Sequence, residues 1–93
     1  ISLFRVSALN KKDSVNFLSK VKGSFPNGKN VKILGPSPAP ITKKNNRYFY
    51  QLLLSSSSRK FLLQKSYEIR EYIINKKKGN IRWSLDIDPL DLY

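Results

Sequence analysis

The side chains in this chain that could do chemistry are mostly cations, and they come in clusters. Lys43, Lys44 and Arg47 stand together; Lys76, Lys77, Lys78 and Arg82 form a second group. Clustered ammonium and guanidinium groups contact phosphates through charge and donated hydrogen bonds. Phe49 follows Arg47 by two positions, so in a strand both project from one face. If Tyr48 and Tyr50 look inward, Arg47 and Phe49 look outward, and an exposed Arg beside an exposed aromatic is a surface that stacks single-stranded bases. Arg59 and Lys60 make a third pair. An Arg there can grip a carboxylate with its paired donors, so an acidic peptide is a candidate ligand. The plain alternative for any one Lys is a solvated surface residue; the clusters carry more weight than their members.

The acids offer less. Asp86 and Asp88 lie two apart and share a face in a strand, where a carboxylate pair could hold a divalent cation or do acid/base work. Two carboxylates without a third ligand make a poor site, and pairing with Lys or Arg on adjacent strands is the better reading. The chain has no Cys and no His, which excludes disulfides, thiol and imidazole chemistry and zinc knuckles within it. Neither a P-loop nor a Gly-x-Gly-x-x-Gly fingerprint is present. No catalytic residue is expected.

The 93 residues make one domain, 1–93, with 18 Lys+Arg against 6 Asp+Glu and a net charge of +12. Three of the six acids fall at 86–91, so the body before them is more basic still. Such a charge favours polyanions, nucleic acid first and anionic membrane second. Codon bias toward Lys and Asn is the bland alternative, since Lys outnumbers Arg 13 to 5. A hydrophobic share of 40% suffices for a core. No apolar run approaches the ~18 residues of a membrane span, and no signal peptide is evident. A start at Ile1 is read as a piece of a longer protein, and the lack of Cys fits the cytoplasm.

The hydrophobic pattern supplies the elements that must position these groups. Residues 2–8 alternate as a strand. Val15, Leu18, Val21 and Phe25 lie near helical spacing behind a cap at Asn10 or Asp13. Val31 to Leu34 is a short strand. Pro36, Pro38 and Pro40 then deny helix and interior sheet and leave an extended, polyproline-like run. Lys43 to Asn46 is a polar tip, and Arg47 to Ser55 returns as a strand, giving one long hairpin. A second helix spans about 58–77, with Leu62, Ser66, Ile69 and Ile73 as its stripe and the serines before it as caps. Ile81, Trp83, Leu85 and Ile87 alternate with polar residues in a last strand, which favours Trp83 as core over a stacking platform. The order β-α-β-β-α-β predicts an α+β, split-βαβ (ferredoxin-like) fold: a four-stranded antiparallel sheet with both helices on one face. The first and last strands are expected beside the two hairpin strands.

Three segments carry a family resemblance. Leu34-Gly35-Pro36-Ser37-Pro38-Ala39-Pro40, then Arg47 to Leu54 with Gln51 and the Ser58-Arg59 junction, then Trp83-Ser84-Leu85-Asp86-Ile87-Asp88-Pro89 resemble, in order and spacing, the C-terminal domain of the bacterial primosomal protein N′ family of replication-restart helicases. The resemblance implies a non-catalytic domain of an ATP-dependent 3′ to 5′ DNA helicase that restarts stalled forks. It implies single-stranded or forked DNA as a partner, with the helicase lobes of the same full-length chain and the acidic tail of single-stranded DNA-binding protein. Arg59 is similar to the tail-contacting Arg of the family; Leu63 stands where some relatives have Gln, with Gln64 beside it. ATP, magnesium and zinc are implied only for the full-length protein, and a bacterial cytoplasmic, nucleoid-associated location with no membrane follows. Two other readings stay open. One is a scaffold domain that braces the helicase lobes. The other is an RNA-binding βαββαβ module, to whose third-strand motif residues 47–54 are loosely similar without its glycines.

Overall fold

The computed structural model describes residues 1–25, 27–28, 30–77 and 79–87. Six elements follow in the expected order: β1 (Ser2–Ala8), α1 (Lys11–Ser24), β2 (Lys32–Lys44), β3 (Arg47–Ser55), α2 (Arg59–Lys76) and β4 (Arg82–Ile87). The strands form one antiparallel sheet in the order β2-β3-β1-β4, an α+β ferredoxin-like arrangement. The expectation for the outer strands needs one correction. β1 does lie beside the hairpin strand β3, but β4 pairs with β1 alone and forms a sheet edge. β3 and β4, both antiparallel to β1, are joined through α2 with β1 between them, which is the split-βαβ crossover.

Side-chain alternation sorts the sheet into two faces. Phe4, Val6, Ala8, Tyr50, Leu52 and Leu54 point to the helices and meet Leu18, Val21, Leu62, Ile69 and Ile73. Burial of each large aliphatic side chain is worth roughly 1.5–3 kcal/mol, so this cluster is the main source of stability. Trp83 and Leu85 are half-buried against the same core, as the alternation predicts. The α2 stripe holds as read, with Leu62, Ser66, Ile69 and Ile73 all buried. Asn10 caps α1 by accepting from the Lys12 amide at 2.8 Å, and Ser58 caps α2 by accepting from the Phe61 amide.

β2 runs further than its prolines suggest. It stays in register with β3 from Lys32 to Leu34, slips, pairs again at Ser37 and Pro38, and rejoins at Lys43 and Lys44. As an edge strand it has one side without a partner, so proline's missing donors are tolerated there. Gly35 marks the first slip, with φ +116°. A Cβ at this position would stand 2.7 Å from the Gln51 carbonyl oxygen. Only glycine fits so close a backbone approach.

Candidate nucleic-acid interface

The hairpin tip is a two-residue turn, with φ 52° at Asn45 and 62° at Asn46. Asn adopts this left-handed backbone more readily than other side-chain-bearing residues, and the paired positive φ suits the twist of a tight hairpin. The turn holds Lys44 opposite Arg47 and leaves Lys43 and Lys44 exposed. Lys43 Nζ lies 5.3 Å above the Tyr48 ring, which fixes one ammonium near the helix side of the tip.

Arg47 corrects the sequence reading. It points away from the helices, as expected, yet it is only 8% exposed. Its Nε donates to Ser7 Oγ at 3.0 Å and its Nη2 to the Ser7 carbonyl at 2.9 Å. Nη2 also donates to the Asn80 carbonyl in the turn before β4. The guanidinium is therefore a tie between β3, β1 and the α2–β4 turn. Ser7 and Asn80 lie 40 and 33 residues away in sequence, so no local pattern announces them.

This tie brings together the two clusters that are separate in sequence. β1 ends, β2 ends, β3 begins and β4 begins at one end of the sheet, where α2 also finishes. Lys43, Lys44, Lys76, Lys77 and Arg82 are all exposed there. Lys78 lies outside the described residues. Lys11 and Lys12 join them, because Ser14 Oγ donates to the Tyr48 carbonyl at 2.7 Å and holds the start of α1 against the start of β3. The sequence reading passed over these two lysines. The available signal was electrostatic: two cations at a helix N-terminus oppose the helix dipole, which favours acids there. Only Asp13 offsets them in the first turn. Among the described residues, seven exposed cations thus stand at this end with Asp13 as the acid in the first turn of α1.

A groove of about 720 Å³ opens beside them on the sheet face that no helix covers. The irregular half of β2 forms one wall with Ala39, Pro40 and Ile41, and Phe49 and Arg5 lie along it. Phe49 is half-buried rather than fully exposed. Arg47 lines the groove with its guanidinium already engaged, while Lys44 and Arg82 stand at the basic end. Among the described residues no carboxylate lines it.

The opposite end differs. β3 spans nine residues, so Arg59 and Lys60 at the start of α2 lie roughly 25 Å from the hairpin tip. Both are exposed, and no acid occupies the first turn of α2. A small hollow of about 230 Å³ adjoins this helix start, lined by Phe61, Gln64, Val31 and Ile33 among others. Asp86 is exposed near this end, opposite Leu3. Asp88 and Asp91 lie outside the described residues. The structure therefore does not bring Arg59 and Lys60 to the other candidate site residues.

The chain lacks Cys and His, and among the described residues no three of His, Cys, Asp and Glu come together. Among the described residues no helix is long and apolar enough to cross a membrane.

Comparisons with known proteins agree with the family resemblance of the sequence. A family model described as the primosomal protein N C-terminal domain matches residues 1–90. The chain is similar to the replication restart protein PriA of Haemophilus influenzae, with 34% identity over 93 residues. That match covers 98% of this chain and 13% of the relative.

Proposed function

Because the chain belongs to the primosomal protein N C-terminal domain family, we propose that it binds DNA within a replication-restart protein, holding phosphates on the basic end of its sheet. One observation supports this reading: Lys43, Lys44, Lys76, Lys77 and Arg82 are exposed at the same end of the sheet as Lys11 and Lys12, where Arg47 ties β3 to β1 and to the turn before β4. Phosphate contacts of this kind fix a strand without reading its sequence, which suits a protein that must accept any fork. ATP-driven 3′ to 5′ unwinding belongs to parts of the protein beyond these residues. The domain positions DNA for them.

A second role rests on the other end. Arg59 and Lys60 are exposed at the start of α2 next to a mixed hollow that includes Phe61, Lys65 and Glu68, and their paired donors fit an acidic tail such as that of single-stranded DNA-binding protein. A bracing role toward the helicase lobes has its own support. Tyr67 and Ile74 are 52% and 42% exposed and lie two turns apart along α2.

The test is a salt titration with forked DNA. Replacing Lys43, Lys44, Lys76 and Lys77 with Gln should weaken binding and lower the slope of log affinity against log salt by about 3. An unchanged slope rejects the assignment to this surface.

A further inference from the structure

Resting on the DNA-binding reading, we propose that the groove on the helix-free sheet face seats an unstacked base of single-stranded DNA against Phe49, with Arg5 and Arg82 facing its phosphates. Four features point to this occupant. The groove is large enough for a small ligand and is walled on one side by the irregular half of β2. A flexible strand can enter such a space, whereas a duplex keeps its base faces stacked. Phe49 supplies the planar apolar surface, and base–aromatic stacking tolerates any base. Lys44 and Arg82 belong both to the groove and to the basic end, so a backbone held on the outer lysines leads into it.

Unused polar capacity also lies beside the groove. Arg5, which lines it, faces Gln51, which does not, across β1 and β3. Arg5 Nε and Gln51 Oε1 are both buried and without hydrogen-bond partners. Buried polar atoms are nearly always paired, so an unpaired donor and acceptor side by side mark a place completed by something else. Here a strand drawn into the groove engages the Arg5 guanidinium and allows the two side chains to settle. Charge complementarity selects a polyanion, because among the described residues four cations and no carboxylate line the space.

The experiment measures binding of the whole chain to a labelled single-stranded oligonucleotide and to the matched duplex, by fluorescence anisotropy at fixed low salt. Phe49→Ala should weaken single-strand binding roughly tenfold and change duplex binding less than twofold. Phe49→Tyr should keep single-strand affinity, which separates loss of the aromatic face from damage to the fold. The salt slope should be the same for wild type and Phe49→Ala. Equal single-strand affinity in wild type and Phe49→Ala would overturn the groove proposal, and weakened binding by a Lys76→Gln/Lys77→Gln variant would then leave the DNA reading standing. No binding of wild type to either DNA would overturn both. Phe49-dependent capture of a labelled acidic peptide, without Phe49-dependent DNA binding, would assign the groove to a peptide instead.

Discussion

The two ends of the sheet carry the same kind of charge in different settings. At the hairpin end, seven exposed cations among the described residues come from α1, β2, the end of α2 and β4, and one buried guanidinium ties β3 to β1 and to the turn before β4. At the α2 start, Arg59 and Lys60 come from a single helix turn beside a small hollow of mixed lining. A broad, multi-element surface suits a long polyanion that need not be read. A narrow pair suits a short acidic segment. Net charge alone would treat both as one basic protein; their placement roughly 25 Å apart underlies the proposed division of ligands.

The difference depends on backbone devices that can be removed one at a time. Gly35 has the largest expected effect. Gly35→Ala forces a left-handed backbone on a side-chain-bearing residue and drives a methyl against the Gln51 carbonyl. The cost should be about 3 kcal/mol, read as a lower midpoint in urea unfolding. Because β2 is regular before Gly35 and irregular after it, the variant should damage the groove wall and hairpin end more than the α2 start. Uniform loss of amide-exchange protection at both ends would argue against that separation.

Arg47 comes next. Arg47→Gln removes a charged donor from Ser7 and Asn80 and should cost about 2 kcal/mol. DNA affinity should fall by more than the loss of one surface Lys, because Lys44 and Arg82 lose their shared anchor. Acidic-peptide affinity should stay within twofold. A variant with wild-type stability would show that the tie is not needed to hold the end together.

Much of this was readable from the chain. Alternation at Ile81, Trp83, Leu85 and Ile87 gave the last strand and put Trp83 on the core side. The spacing of Leu62, Ser66, Ile69 and Ile73 gave the buried stripe of α2. These features are local, and a period of two or of 3.6 reports them directly. What escaped was non-local. Alternation says which face Arg47 takes, yet its burial depends on Ser7, Asn80 and the fold-back of β2. Lys11 and Lys12 look like an ordinary helix start until Ser14 is seen holding them against Tyr48. The proline run reads as polyproline because nothing in it announces that its strand lies at an edge.

The most direct test of separate ends titrates two variants against two ligands at one salt concentration. One variant carries Gln at Lys43, Lys44, Lys76 and Lys77; the other carries Ala at Arg59 and Lys60. The first should lose forked-DNA affinity at least tenfold and keep acidic-peptide affinity within twofold, and the second should show the reverse. Equal losses for both ligands in both variants would contradict the division, leaving only an undifferentiated positive charge.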